Sequence, residues 1–322
     1  MKKNYRNLKA IDGLSFSVGK GEIFGLLGPN GAGKSSTVRC LITISKISSG
    51  DAQIWGLDVA RDPDKVRKIC GYVPQTLSVI AELTGYENLL MAAKMNGVPS
   101  SKIKSIVNDL LELMKLSDRK NDLVKKYSGG MMRRLEIAQA FVHRPKVLFL
   151  DEPTIGLDPK GKRVVWDHLR NLRNEYQTTI FITTHDMNEA NHLCDRIAII
   201  NRGQIVVIGD PEELKKQVGG DVIMVKTRSL KNFNRDALAD LGAASIDMGE
   251  EELTIVTNEG EKAIPKIIQI LAKNDISVES ISVSKPTLDD VFLKTVGSRI
   301  DEEESGDWRS IRSVRRTVST MG

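Results

Sequence analysis

Short apolar runs alternate with helical patterns between about residues 5 and 215. Three of these runs are nearly continuous in apolar character and stop at polar clusters, namely residues 23–27, 146–150 and 179–183. Strands of a parallel sheet have this character because helices cover both faces of the sheet. The pattern therefore predicts an α/β domain with a mostly parallel sheet, with ligand-binding groups at the carboxyl ends of its strands.

Helical periodicity replaces the strand pattern between residues 76 and 144. It is clearest in a set of apolar residues that would share one face of a helix: Ile103, Ile106, Val107, Leu110, Leu111 and Met114. We therefore predict a helical subdomain at about residues 76–144, within an α/β domain that spans residues 1–219.

A second unit follows Gly219 and Gly220, where the composition changes. Its predicted elements are strand 222–225, helix 235–241, strand 253–256, a helix with Ile264, Ile267, Ile268 and Leu271 on one face, and elements at 276–283 and 287–295. The apolar alternation slips between Val278 and Ile281, which indicates a β-bulge or an element boundary. We predict a small C-terminal α+β accessory domain over residues 220–297 and a flexible tail over residues 298–322.

Composition and charge narrow the classes of protein. The chain is 40% hydrophobic and 28% charged, which is ordinary for a soluble globular protein. Its longest apolar stretches, such as residues 147–150, are far shorter than the roughly 20 residues that span a bilayer. The first residues lack an apolar signal core, so we expect a cytoplasmic protein. The net charge is +5, but basic residues alternate with acidic ones, so we expect no nucleic-acid partner.

The sharpest chemical signal is a glycine-rich stretch between a predicted strand and a helix predicted at residues 36–42. It fits the pattern G-x-x-x-x-G-K-S with Gly28, Pro29, Asn30, Gly31, Ala32, Gly33, Lys34 and Ser35. Glycines let consecutive backbone N–H groups converge on a phosphate, and the helix N-terminus adds a positive end. We expect Lys34 on the β- and γ-phosphates of ATP, Ser35 on Mg²⁺, and Ser36 beside them in the nucleotide site.

A second signal lies at the end of the apolar run 147–150, where two carboxylates follow in succession. Asp151 suits the metal side of the site. Glu152 suits alignment or deprotonation of the attacking water, because in-line attack on a γ-phosphate needs an oriented nucleophile and a metal that neutralises charge.

A third motif lies between these two, where Ser128, Gly129 and Gly130 would also cap a following helix. With this motif the chain resembles the ATP-binding subunits of ABC transporters, which implies a P-loop NTPase core and ATP hydrolysis. The resemblance implies that the three residues complete the nucleotide site of the opposite subunit in a homodimer. The family usually has Leu and Gln where this chain has Tyr127 and Met131, so a polar contact to the ribose does not carry over.

The same resemblance assigns further roles. It implies that Gln75 senses Mg²⁺ and the attacking water, that His185 contacts the γ-phosphate, and that Asp158 belongs to a loop between subunits. The expected catalytic residues are therefore Lys34, Gln75, Glu152 and His185, and the expected Mg²⁺ ligands are Ser35, Gln75 and Asp151. Tyr5 aligns with an aromatic that stacks on adenine. Only four residues precede Tyr5, so either the natural start lies upstream or the family's edge strand is missing.

The C-terminal part indicates the branch of the family. Residues 286–293 are similar to the extension of the daunorubicin-type drug-resistance subfamily. This similarity implies an ABC-2 exporter of a drug or another lipophilic substrate, held by a separate membrane permease at the inner face of the cell membrane. Related branches export polysaccharide, lipid or sodium. A soluble ABC ATPase of DNA repair, chromosome structure or translation is the alternative, although we find neither a long coiled-coil insertion nor a second ATPase unit.

Overall fold

The computed structural model describes residues 1–6, 8–230, 233–234, 237–238 and 241–303 of the 322-residue chain. Contacts divide the chain into two units, of which the first is Met1–Glu213 and the second begins at Leu214. Among the described residues, no helix combines the length and the apolar character needed to cross a membrane.

The main sheet of the first unit has six strands. The strands of this unit are β1 (Lys2–Tyr5), β2 (Leu8–Asp12), β3 (Ile23–Leu27), β4 (Gln53–Ile54), β5 (Leu57–Asp58), β6 (Cys70–Val73), β7 (Val147–Asp151), β8 (Thr179–Thr184), β9 (Arg196–Asn201) and β10 (Gln204–Gly209). The main sheet has the order β10-β9-β3-β8-β7-β6, and all of its pairs are parallel except β9 with β10. The expected α/β fold with a mostly parallel sheet is therefore confirmed.

The first unit also contains helices, several of which contact strands of this sheet. They are α1 (Lys34–Leu41), α2 (Pro63–Ile69), α3 (Gly85–Met95), α4 (Ser100–Leu113), α5 (Gly129–Phe141), α6 (Pro159–Tyr176), α7 (Met187–Leu193) and α8 (Pro211–Val218), the last of which crosses the division between the units. The long segment between β6 and β7 contains α3, α4 and α5. Helix α3 begins with a capping box, in which Thr84 and Glu87 satisfy each other's backbone N–H groups.

The three central strands of the sheet are buried and are joined by stacked aromatic rings. Every residue of β3, β7 and β8 is buried, because these three strands lie inside the sheet between its outer strands. Phe24 of β3 stacks on Phe181 of β8 at 5.6 Å between ring centroids, and Phe149 of β7 lies 5.4 Å from Phe181. This packing holds the carboxyl ends of the three strands side by side.

The strand that ends at Tyr5 is present in the structure. Residues of β1 pair antiparallel with β2, and the register shifts between Lys3 and Asn4. Lys2 also exchanges backbone hydrogen bonds with Ser49, at 2.8 Å for its N–H and 3.4 Å for its carbonyl. A short edge strand that ends at Tyr5 is therefore present.

The second unit contains an antiparallel sheet covered by a helix. Its elements are β11 (Asp221–Thr227), β12 (Ser245–Met248), β13 (Glu252–Thr257), α9 (Gly260–Lys273), β14 (Val278–Ser284) and α10 (Leu288–Glu303). The strand order is β12-β13-β11-β14, which is the order of a βαββαβ unit. Its core includes Ile223, Val225, Leu253, Ile255, Ile267 and Leu271.

The second unit tests several details of the sequence interpretation. Lys226 pairs with Ser280 and Thr227 with Val278, so a register shift lies where the alternation slipped, and the bulge is confirmed. On α9, Ile267, Leu271 and the smaller Ala263 are buried, whereas Ile268 is 42% exposed at the border of the apolar face. Most of the helix expected at 235–241 lies outside the described residues. Helix α10 extends to Glu303, and residues 304–322 of the expected tail lie outside the described residues.

Candidate active site

The glycine-rich loop between β3 and α1 lies directly against neighbouring backbone. A Cβ added at Gly28 would lie 2.2 Å from the carbonyl oxygen of Ile200, which leaves no space for a side chain. At Gly33, where φ is +108°, an added Cβ would lie 2.4 Å from the carbonyl oxygen of Ala10. Helix α1 begins immediately afterwards, and no side chain among the described residues caps its N-terminus. The amide donors of its first turn are thus available to an anion held by the loop.

Lys34 is a buried cation that connects the loop to the carboxylate strand. Its Nζ donates to the carbonyl oxygens of Gly28 at 2.7 Å and Pro29 at 3.1 Å. The same Nζ lies 3.3 Å from Oε1 of Glu152, and both side chains are almost completely buried. Charges removed from water in this way are stabilised by pairing, so the ion pair holds the end of β7 against the loop.

The carboxylate of Glu152 contacts the other three residues that were expected to be catalytic. Its Oε1 pairs with Lys34, whereas its Oε2 lies 3.1 Å from Nδ1 of His185 and accepts from Nε2 of Gln75 at 3.5 Å. These residues come from four separate segments of the chain, which the parallel sheet gathers at one edge. Their contacts are observed, whereas their catalytic roles stay predictions.

The backbone of Glu152 explains how two successive carboxylates face one site. Glu152 has φ of +51°, a left-handed conformation that an L-residue adopts at a cost of about 1–3 kcal/mol. Its N–H is held by the carbonyl oxygen of Thr183 at 3.0 Å and by the hydroxyl of Thr183 at 3.2 Å. The turn interrupts the strand alternation, which would otherwise direct Asp151 and Glu152 to opposite faces.

Asp151 forms the second half of the site together with hydroxyl groups. Its Oδ1 accepts from the hydroxyl of Ser35 at 3.1 Å and from the hydroxyl of Thr183. Oxygen ligands of this kind, one carboxylate and one serine hydroxyl, suit Mg²⁺, which binds few protein ligands and keeps water or phosphate oxygens. The residues present therefore fit the expected metal. Sequence reasoning missed Thr183, although it directly precedes Thr184 and His185 at the end of an apolar strand.

The third motif is separate from this cluster within the chain. Ser128 caps α5 and accepts from the N–H of Met131 at 3.3 Å. Asp158 caps α6 and accepts from the N–H of Gly161 at 2.6 Å. No hydrogen bond or ion pair within the described part of the chain joins Ser128 or Asp158 to Glu152. The two loops do approach each other, because a Cβ at Gly129 would lie 3.6 Å from a methyl group of Leu157.

The remaining expected nucleotide contacts lie on the surface or beside the loop. Tyr5 is 38% exposed, its ring lies 4.6 Å from Nζ of Lys3, and its hydroxyl lies 3.4 Å from that of Ser45. Asn30 is exposed and Ser36 is half-buried. The exposed ring of Tyr5 is thus accessible for stacking.

Tyr127 departs from the family pattern and has a structural use. Its ring is buried, and its hydroxyl donates to the carbonyl oxygen of Arg119 at 2.8 Å. A Cβ at Gly85 would lie 2.3 Å from that hydroxyl, so the missing side chain at Gly85 provides the space for it. Tyr127 thus links the segment before α5 to the start of α3.

A buried acid behind the site was also missed from the sequence. Glu189 of α7 accepts from the hydroxyl of Thr154 at 2.8 Å and from Nε1 of Trp166 at 3.0 Å. Burial raises the pKa of Glu189, although hydrogen bonds from Thr184, Thr154 and Trp166 act in the opposite direction. This side chain joins α7, α6 and the loop that follows Glu152.

Comparisons with known proteins agree with this geometry. A sequence model of the family described as "ABC transporter" matches residues 11–155, and one described as "ATP-binding protein DrrA1-3-like, C-terminal domain" matches residues 209–296. The daunorubicin resistance ATP-binding protein DrrA3 of Streptomyces coeruleorubidus is 36% identical over 296 residues, which cover 92% of this chain and 93% of that protein. The linearmycin resistance ATP-binding protein LnrL of Bacillus subtilis is 34% identical over 92% of this chain and 96% of that protein.

Solved structures give the same result for the fold. The structure of cbiO1 from Clostridium perfringens, described as part of the ABC transporter complex cbiONQ, superposes with a TM-score of 0.63 and 29% identity. That match covers 67% of this chain and 88% of the other. Relatives above 30% identity extend over most of both chains. The glycine-rich loop and the paired carboxylates lie in one site with His185 and Gln75. The chain therefore belongs to the ATP-hydrolysing, ATP-binding subunits of ABC transporters.

Proposed function

We propose that the chain works as a homodimer that hydrolyses Mg²⁺·ATP to drive a membrane exporter of a lipophilic drug or a similar compound. The observation that carries this proposal is the cluster around Glu152, whose carboxylate contacts Lys34 at 3.3 Å, His185 at 3.1 Å and Gln75 at 3.5 Å. A carboxylate in this position is suited to orient and deprotonate a water that attacks the γ-phosphate.

Each side chain of the cluster has a separate task in this proposal. Lys34 binds the β- and γ-phosphates, because its buried Nζ already lies between the loop carbonyls and the end of β7. His185, which is half exposed, contacts the γ-phosphate, and Gln75 orients the water. Ser35 and Asp151 hold the metal together with Gln75. Mg²⁺, when bound there, neutralises charge on the transferred phosphate oxygens.

The homodimer supplies the third motif. Ser128 uses its hydroxyl as a helix cap within its own chain and lies in a separate loop from the Glu152 cluster. The N-terminus of α5 carries two glycines, whose amides can approach an anion closely. We therefore place Ser128, Gly129 and Gly130 on the γ-phosphate bound by the partner subunit, with Asp158 at the same interface.

The relatives support a proposal for the class of transported substrate, and the family resemblance supports one for the membrane partner. Relatives over most of the chain are named for resistance to daunorubicin and to linearmycin. We propose a lipophilic drug or similar compound as the substrate, a separate integral permease as the partner, and a location at the inner face of the cell membrane through that permease. We propose no nucleic-acid partner. Residues 220–297 would serve as an accessory domain that supports the dimer or its assembly with the permease.

Substituting Glu152 by Gln tests the catalytic assignment. The amide keeps the size of the side chain but cannot accept a proton, so hydrolysis should fall by about 100-fold or more, which is the range for loss of a general base. Binding of ATP should persist, and the ATP-bound dimer should accumulate in light scattering. Glu175→Gln, an exposed carboxylate on α6, serves as the matched control and should hydrolyse ATP normally. Rapid hydrolysis by Glu152→Gln would remove Glu152 from the reaction.

A further inference from the structure

A buried ion pair on α5 holds the segment that carries Gln75. Arg133 and Glu136 lie one turn apart, their side chains are 3% and 1% exposed, and Nη1 of Arg133 lies 2.9 Å from Oε2 of Glu136. The proposed reaction assigns neither residue a task. A buried pair of this kind costs desolvation, and replacement by apolar residues is often neutral for stability, so its contacts beyond the pair indicate what it does.

Arg133 binds the two backbone carbonyl groups on either side of the Cα of Gln75. Its Nη1 donates to the carbonyl oxygen of Pro74 at 2.9 Å, and its Nη2 donates to the carbonyl oxygen of Gln75 at 3.1 Å. The planar guanidinium fork suits two acceptors at fixed spacing, which a lysine ammonium cannot match. The peptide plane of Gln75 is therefore oriented by a residue of α5.

Glu136 binds the same segment three residues later. Its Oε1 accepts from both the N–H and the hydroxyl of Ser78, the latter at 2.9 Å. Between these two attachment points lies Leu77, whose side chain is 50% exposed and contributes little packing. The segment from Pro74 to Ser78 is thus attached to α5 by charged hydrogen bonds, which are stronger than neutral ones.

We propose that the Arg133–Glu136 pair is a positioning device that holds Gln75 against Glu152 and couples the position of the Gln75 backbone to that of helix α5. Helix α5 starts at the Ser128 motif, so a shift of that helix moves the backbone of Gln75 and with it the Nε2 that lies 3.5 Å from Glu152. Neither Arg133 nor Glu136 touches the reacting atoms. This inference rests on the proposed role of Gln75 in hydrolysis.

A mutant cycle on the full-length chain tests the proposal. The paired substitution Arg133→Met with Glu136→Leu removes both charges together, so no buried charge is left unpaired. It should lower kcat by about 10-fold to 100-fold, as misplacement of a catalytic group by about 1 Å does, while KM for ATP changes much less. Gln75→Ala should lower kcat similarly. Combined with Gln75→Ala, the paired substitution should cause no further loss, because both act through the same side chain.

The control uses another residue of α5, and the structural readout is hydrogen exchange in the segment that carries Gln75. Gln139→Met is the matched control, since Gln139 bonds to Asn88 on α3 rather than to the Gln75 segment, and it should keep kcat. Hydrogen exchange should accelerate at the amide of Ser78 in the paired variant but not in Gln139→Met. If the paired variant unfolds below the assay temperature, Arg133→Lys replaces it, because it keeps the ion pair but loses one of the two carbonyl contacts.

Three results would overturn the inference in distinguishable ways. If the losses from the paired substitution and from Gln75→Ala multiply, the pair acts independently of Gln75 and the inference alone is wrong. A normal kcat for Gln75→Ala would remove the proposed role of Gln75 and, with it, the inference. A normal kcat for the paired variant, or for Arg133→Lys where that variant replaces it, would also overturn it.

Discussion

Thr183 offers the most direct test of how the two carboxylates are held. Its hydroxyl donates to Oδ1 of Asp151 and accepts from the N–H of Glu152 at 3.2 Å, while its side chain is completely buried. Thr183→Val replaces the hydroxyl by a methyl group of similar size. The substitution therefore leaves the volume of the side chain nearly unchanged but removes both hydrogen bonds.

The magnitude follows from which partners remain. The N–H of Glu152 keeps the carbonyl oxygen of Thr183 at 3.0 Å, so little is lost there. Asp151 keeps the hydroxyl of Ser35 at 3.1 Å but loses its bond from Thr183. A hydrogen bond to a charged group is worth about 2 kcal/mol net, which corresponds to roughly a 30-fold change in kcat/KM if it acts on the transition state. We expect Thr183→Val to lower ATP hydrolysis by that factor.

The assay is steady-state hydrolysis measured against Mg²⁺ concentration, together with urea unfolding. Thr178→Val is the matched control, because Thr178 is also buried, precedes the opposite end of β8, and donates to the carbonyl oxygen of Pro145 at 3.4 Å. The control should lose some stability and no activity. If Thr183→Val hydrolyses ATP within about twofold of the parent, Thr183 does not organise the site and the reasoning fails.

Motifs whose residues follow one another in the chain can be recognised from the sequence alone. The phosphate loop and the acidic strand end each carry their chemistry in a few successive residues, and the short apolar runs predicted that β3, β7 and β8 end at one edge of a sheet. That edge indeed brings Lys34, His185 and Gln75 to Glu152. The roles of His185 and Gln75, however, came from the family resemblance, whereas that of Lys34 came from its motif.

Contacts between residues far apart in the sequence could not be predicted, for a physical reason. The sequence gives no sign of the Arg133–Glu136 pair, because nothing local shows that the two residues are buried or that Glu136 bonds to Ser78, 58 residues earlier. From the sequence alone, Tyr127 was likewise recognised only as a departure from a motif. Its use depends on Gly85, which lies far away in the chain and adjacent only in space. Burial and long-range pairing of polar groups are properties of the packed structure.

Two further predictions concern the accessory domain and the stability of the first unit. A chain truncated after Gly219 should fold and hydrolyse ATP, because every residue expected to contact the nucleotide, from Tyr5 to His185, precedes that point. We expect its dimerisation or its pull-down by the permease to weaken, and if only thermal stability falls, the assembly role is wrong. His168 is buried on α6, and burial lowers its pKa to about 4, with the charges of Arg134 and Lys115 acting in the same direction and the backbone of Leu113 and Asp167 opposing. Its unfolded pKa is about 6.5, so above that pH both states are neutral and His168 makes no contribution to the pH dependence. As the pH falls from about 6.5 to about 4, the unfolded chain binds a proton that the folded chain excludes, and stability should fall by on the order of 2–3 kcal/mol. Urea unfolding between pH 7 and pH 4.5 measures this slope, which His168→Leu should reduce, and an equal slope in that variant would show that another group is responsible.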